Sequence, residues 1–202
     1  MDNNNLNVEH KKELKETRTV WKEIYEWIDC AVITVLCLIL LFSFAFRQVS
    51  IDGSSMNNTL REGERVIVSD VFYKPQYGDI VVISAEVYDN VPIIKRVVAT
   101  EGQWINITDG KVYVGETKET MKEVASKFTD CEKTDSLMAD GNYGVQEYPL
   151  QIPENHVFVL GDNRKVSLDS RTTAVGLIDE RQILGKALYR VYPFDRIGSI
   201  YK

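Results

Sequence analysis

Three short stretches of this chain carry residues able to do covalent chemistry. The first is Asp52-Gly53-Ser54-Ser55-Met56. A serine on a glycine-containing turn can face a substrate, and the N–H groups of such a turn can stabilise an oxyanion. Serine-rich turns are also common as plain turns, so the stretch alone decides nothing. The second is Ile93-Ile94-Lys95-Arg96-Val97-Val98. On a strand, alternation puts Lys95 on one face with Ile93 and Val97, and Arg96 on the other with Ile94 and Val98. A lysine among apolar side chains loses hydration, which disfavours its charged form. Acting as a base near neutral pH requires its pKa to fall from about 10.4 to near 7, worth about 4–5 kcal/mol. Burial can supply that. Periodicity alone favours the ordinary alternative, a lysine snorkelling from a half-exposed strand. The third stretch is Gly161-Asp162-Asn163-Arg164-Lys165-Val166-Ser167-Leu168-Asp169-Ser170-Arg171. Such a loop could orient a buried lysine through a hydroxyl and pair internal carboxylates with arginine. A solvated, charge-rich loop has the same composition. A Ser-His-Asp triad would have to use His156, which no motif surrounds and which reads as an ordinary strand-edge histidine.

The elements that must position these groups fall into two regimes. From Cys30 to Phe46 the chain has no charge, no Pro and no Gly. As a helix this stretch spans about 26 Å. With Trp27 and Ile28 added it approaches the ~30 Å hydrocarbon core of a bilayer. Trp21, Tyr25 and Trp27 stand where an interfacial aromatic belt belongs. Apolar residues at Leu14, Val20, Trp21, Ile24, Tyr25 and Ile28 follow near-helical spacing, so the helix is expected to begin well before the membrane. Ser43-Phe44-Ala45 has the small residues of a processing site. However, the leader of residues 1–29 holds five Lys/Arg against seven Asp/Glu, unlike the short basic leader of a cleaved signal peptide. An uncleaved anchor over 30–46 is expected. The 20 residues before it hold Lys11, Lys12, Lys15, Arg18 and Lys22, whereas the 20 after it hold Arg47, Arg61 and Arg65, which favours a cytoplasmic 1–29 segment and an extracytoplasmic 47–202 domain.

After residue 47 the period changes. Arg65–Ser69, Asp79–Ser84, Ile93–Thr100, Val157–Leu160 and Leu184–Tyr192 are short and rich in β-branched residues. Trp104–Thr108 and Lys111–Val114 flank Asp109-Gly110, a hairpin signal. A mainly β domain follows. Gly115–Pro149 differs: it holds eight Asp/Glu against four Lys and no long apolar run. It reads as an inserted polar subdomain, at about 105–153 with its flanking strands, with a short helix around Thr120–Phe128.

Composition excludes several function classes. A net charge of −6 opposes binding nucleic acid through its phosphates. Three Cys and two His do not make a disulfide scaffold and speak against a structural zinc site. Cys30 and Cys37 lie on one face of the apolar helix, and Cys131 stands alone outside it. No metal or other cofactor is expected.

The order of the clusters carries more than any one of them. An N-terminal anchor is followed by Gly53-Ser54-Ser55-Met56-Asn57-Asn58-Thr59-Leu60, Tyr77-Gly78-Asp79-Ile80-Val81, Lys95-Arg96-Val97-Val98, and Gly161-Asp162-Asn163-Arg164…Ser167…Asp169-Ser170-Arg171. This resembles the bacterial type I signal peptidases, over roughly residues 20–200. The resemblance implies an anchored serine endopeptidase that removes signal peptides after small-x-small motifs, on a β-rich catalytic domain with a small insertion. It implies Ser55 as nucleophile, its N–H in the oxyanion hole, and Lys95 as general base. It further implies that Ser167 hydrogen-bonds the Lys95 amine, that Asp162 pairs with Arg96, and that Asp169 pairs with Arg171. The implied partners are secretory preproteins, membrane lipid and the translocon from which preproteins emerge, and no nucleic acid. No substrate-binding residue is singled out.

Two positions depart from the family pattern. Asn58 stands where proline is usual, and Gly53 where some members carry a second oxyanion-donating serine. Losing such a donor costs ~3 kcal/mol in the transition state. The alternative is a catalytically weak or silent relative serving as a membrane-bound assembly or binding factor. Retention of Ser55, Lys95, Ser167 and Asp169 together argues against it.

Overall fold

The computed structural model describes residues 3–57, 59–84, 91–124 and 144–201. They form two units, Met1–Ala45 and Phe46–Lys202.

The first unit is one helix, α1 (Asn3–Ala45). No Gly or Pro interrupts residues 1–45, so nothing breaks its ladder. It begins well before the apolar stretch, as the spacing of the leader suggests, and ends one residue short of the expected Phe46. Its Trp21–Ala45 portion is long and apolar enough to cross a membrane. Trp27, Leu40, Leu41 and Phe44 are all exposed. An apolar helix whose described side chains stay exposed all round calls for an apolar solvent. The Lys22–Glu26 pair at its polar end spans 3.9 Å between exposed side chains and adds little.

The second unit is β-dominated, as the sequence predicts. Its strands are β1 (Arg47–Ser50), β2 (Arg65–Ser69), β3 (Ile80–Ile83), β4 (Ile93–Ala99), β5 (Trp104–Thr108), β6 (Lys111–Gly115), β7 (Lys122–Glu123), β8 (Leu150–Gln151), β9 (His156–Leu160), β10 (Ile178–Asp179), β11 (Ile183–Tyr192) and β12 (Gly198–Ser199). The larger sheet runs β1-β2-β11-β3-β4-β9-β10, with β12 also on β11; the smaller runs β7-β6-β5-β8. Every pairing is antiparallel.

Alternation decides where the core sits. Strand β3 is buried at all four positions. Its even residues Ile80 and Val82 join Met56, Leu60, Val66 and Ile94 in one apolar cluster. Its odd residues Val81 and Ile83 join Val97, Val157, Val159 and Ile178 in a second. The middle of the larger sheet is therefore covered on both faces. A third cluster, with Val98, Ile105, Val112, Phe158 and Leu160, joins residues of the two sheets.

The predicted hairpin forms in register, Thr108 opposite Lys111. Asp109 and Gly110 take φ of +50° and +75°, the two left-handed positions a tight hairpin turn needs. The expected helix at Thr120–Phe128 does not form in its described part. Lys122 and Glu123 instead pair as β7 with Val114 and Tyr113 of β6, because the chain folds straight back beside Gly115. Residues from 125 to 143, including Cys131, lie outside the described residues.

Candidate active site

Ser55 rides on an excursion between β1 and β2. The excursion is closed at its base by Ile51 N–H donating to Glu64 O (2.8 Å) and Gly63 N–H donating to Ile51 O (2.9 Å). Within it, Asn57 N–H donates to Ser54 O (3.0 Å), and Thr59 and Leu60 N–H both donate to Met56 O (3.1 and 2.8 Å). Ile51, Met56 and Leu60 are buried in the first cluster and hold the excursion down. Their side chains leave Ser55 half-exposed at the bend. Gly53 is exposed, at φ +83°, and brings no side-chain donor. Position 58 lies outside the described residues.

Lys95 lies on β4, opposite Val81 of β3. It is 3% exposed. Its Nζ lies 2.9 Å from Ser55 Oγ and donates to Ile94 O at 3.2 Å. Burial is the main cause that lowers its pKa to about 8; Asp169 opposes the shift and Arg171 adds to it. The amine is thus partly neutral at ordinary pH and can accept a proton from the hydroxyl beside it. Two expectations follow with definite signs. A reaction needing the neutral amine should rise with pH through about 8, which a pH series of initial cleavage rates will show. An unfolded-state pKa near 10.5 against a folded one near 8 means that folding expels a proton between those values. This group's penalty is therefore full below about pH 8 and relieved as pH rises towards 10.5. It amounts to about 3 kcal/mol, readable as denaturation midpoints that climb over that window and flatten in Lys95→Met.

The loop after β9 locks these two elements together. Asp162 receives Arg96 through Nε (2.8 Å) and Nη2 (2.6 Å), and the same guanidinium donates to Gly78 O (2.7 Å). Thr59 of the β1–β2 excursion also donates its hydroxyl to Asp162. Asp169 receives Arg171 through Nε (2.7 Å) and Nη2 (3.0 Å), and accepts from Gly161 N–H (3.0 Å). Arg171 Nη2 further donates to Arg164 O (2.9 Å) and Ser167 O (3.0 Å), which closes the loop on itself. Both carboxylates are fully enclosed, so a bidentate guanidinium is what makes their charge tolerable.

Not every expected contact forms. Ser167 Oγ is buried without a hydrogen-bond partner and does not reach Lys95. The amine instead uses the carbonyl of its own neighbour, Ile94. Ser167 packs against Gly161, where an added Cβ would lie 2.1 Å from Ser167 Oγ and 2.6 Å from Ser55 O. Only a glycine lets the Ser55 backbone and the Ser167 turn approach this closely. Sequence reasoning gave Asn163 no role, yet its N–H donates to Ser55 O (2.9 Å) and its Nδ2 to Ser54 O (3.2 Å). Its place inside Gly161-Asp162-Asn163 was the available signal. His156 Nδ1 is bonded to Glu154 O at 2.8 Å, as an ordinary strand-edge residue would be. Among the described residues no group of His, Cys, Asp and Glu side chains is arranged to hold a metal ion.

A half-exposed hydroxyl 2.9 Å from a buried, partly neutral amine has the geometry that a proton transfer between them requires. The Ser55 N–H makes no described hydrogen bond. Comparison with known proteins bears on the same chemistry. The family described as "Signal peptidase, peptidase S26" matches residues 24–192. Signal peptidase I of Bacillus licheniformis is 31% identical over 177 residues, 86% of this chain and 91% of that protein. Signal peptidase IB of Staphylococcus aureus (strain COL) is 36% identical over 182 residues, 86% of this chain and 92% of that protein. Signal peptidase I T of Bacillus subtilis (strain 168) is 32% identical over 196 residues, 96% of this chain and 95% of that protein. Among solved structures, a signal peptidase I from Enterococcus faecalis V583 aligns with a TM-score of 0.41 and 25% identity, covering 56% of this chain and 97% of that one. With a match running from within α1 to the last residue of β11, and relatives similar along nearly their whole length, this chain belongs to the signal peptidase, peptidase S26, family.

Proposed function

We propose that this chain is a membrane-anchored endopeptidase that removes N-terminal signal peptides from secretory preproteins after small-x-small motifs, with Ser55 as nucleophile and Lys95 as general base. The observation that carries this reading is the 2.9 Å contact between Ser55 Oγ and the buried Lys95 Nζ. The neutral amine takes the hydroxyl proton as Oγ attacks the scissile carbonyl carbon. The Ser55 N–H faces the oxyanion that forms. The resulting ammonium gives its proton to the departing amine nitrogen, and an acyl-enzyme remains. Water then attacks the ester, again losing its proton to Lys95, and Ser55 is regenerated.

The helix supports the rest of the reading. Residues 1–29 are cytoplasmic, 30–46 anchor the chain in lipid, and 47–202 carry the site outside, with 105–153 as the inserted subdomain. Five cationic residues in the 20 before the anchor, against three in the 20 after it, favour that orientation. Preproteins leaving the translocon are themselves membrane-tethered, so sharing a bilayer raises the effective concentration of each for the other. The test is the full chain in proteoliposomes with a preprotein bearing an Ala-x-Ala site. The expected product begins at the residue after the second Ala, and Ser55→Ala yields none. Product from Ser55→Ala at the parental rate would overturn the assignment.

A further inference from the structure

Thr59, four residues after the nucleophile, is gripped from two sides by two separate buried ion pairs. Its hydroxyl donates to Asp162, the partner of Arg96. Its carbonyl accepts from Arg190 Nη1 at 3.2 Å. Arg190 comes from β11 and is 7% exposed. The same guanidinium donates through Nη1 to Glu64 Oε2 (3.0 Å) and through Nε to Arg196 O (2.6 Å). Glu64, 2% exposed, closes the base of the nucleophile excursion through its backbone and also receives Arg196.

This network joins no substrate group, yet it is tied to the segment that sets the nucleophile. The Met56–Leu60 bend depends on two N–H bonds to Met56 O. Residue 58 is Asn, so no proline ring fixes φ there. Besides Asn163 at Ser54 and Ser55 and the buried Met56 and Leu60, the bend is held at Thr59, through both its hydroxyl and its carbonyl. A planar guanidinium can serve a carboxylate and two carbonyls in fixed directions at once; a lysine ammonium on a flexible stem cannot reproduce that fork.

We propose that Arg190, oriented by Glu64, is a positioning residue that fixes Thr59 and through it the placement of Ser55 Oγ against Lys95 Nζ. The inference rests on the Ser55–Lys95 reading above. A small misplacement of a nucleophile costs rate without costing substrate affinity, because it is felt only in the attack step.

The test is steady-state cleavage of the same preprotein by the full chain carrying Arg190→Lys, Arg190→Met or Arg196→Met, with melting temperatures measured alongside. Arg196→Met removes an ion contact to Glu64 but leaves the Thr59 carbonyl bond in place. Arg190→Lys and Arg190→Met should lower kcat about tenfold, equal to about 1.4 kcal/mol, with KM within about twofold. Arg196→Met should lose stability comparably and keep kcat within about twofold. If Arg190→Met does not fold, Arg190→Lys decides alone. A parental kcat in Arg190→Lys, or an equal kcat loss in Arg196→Met, would overturn the proposal. Failure of the underlying reading shows separately, as undiminished cleavage by Ser55→Ala.

Discussion

Lys95→Met and Lys95→Arg should each lower signal-peptide cleavage by ~10³-fold or more, while the chain stays folded. The pair of variants separates two jobs a lysine could do. Methionine has a similar length and apolar stem on the β4 face shared with Ile93 and Val97 but no basic nitrogen to take a proton from Ser55. Arginine keeps the positive charge and stays protonated throughout the accessible pH range. If Lys95 acted only as a fixed cation near the oxyanion, arginine would preserve much of the rate. If it acts as the base, both variants fail alike. Burst and steady-state measurements of product, with circular dichroism as the control for folding, distinguish the outcomes. Activity retained by Lys95→Arg would refute the general-base role.

The second large effect is expected at the Arg96–Asp162 pair, whose side chains are 4% and 0% exposed. Arg96→Met leaves Asp162 buried without its guanidinium. Breaking such a pair from one side costs about 3–5 kcal/mol, which in a domain of this size lowers the melting temperature by about 10 °C. Adding Asp162→Asn to Arg96→Met should return a good part of that loss, because the uncompensated charge is then gone. Cleavage should not return with it, since the carboxylate that holds Thr59 has been replaced. A single Arg96→Met variant melting with the parent would show that the pair does not carry this load.

How much of this was legible in the sequence differs by element and has physical reasons. The β5–β6 hairpin could be placed because Asp109-Gly110 demands a particular backbone and alternation on either side has nowhere else to go. The central strands could be placed because β-branched runs buried on both faces are hard to mistake. Strands β7, β8, β10 and β12 are two residues each and carry no period at all. They exist because neighbouring chain lies alongside, which local pattern does not encode. That is why Lys122 and Glu123 read as helix and fold as strand.

The site divides the same way. Strand alternation put Lys95 among apolar neighbours but could not say that Ser55, forty positions earlier, would sit against it. Only the order of motifs, through the family resemblance, suggested the pairing. The resemblance also implied a Ser167–Lys95 hydrogen bond, and in this structure the Ser167 hydroxyl is buried without a partner. Neither route reached Arg190 and Glu64, 126 positions apart and embedded in no motif, because their meeting depends on β11 lying beside β2.

Three of the four buried carboxylates among the described residues share one trait, whereas the fourth, Asp79, pairs with Lys186 at 2.6 Å. Glu64, Asp162 and Asp169 are each neutralised by arginine. Guanidinium groups hold their proton far into alkali, whereas an ammonium in the same place would begin to surrender it. The counter-charges of these three pairs thus come from guanidinium groups, which as a class stay protonated over the range in which Lys95 changes state. On the reading proposed above, alkaline conditions favour the neutral amine of Lys95, so cleavage should rise as pH moves through about 8. A lysine substituted into any of those arginine positions would surrender that separation: the scaffold would start to titrate together with the machine it supports.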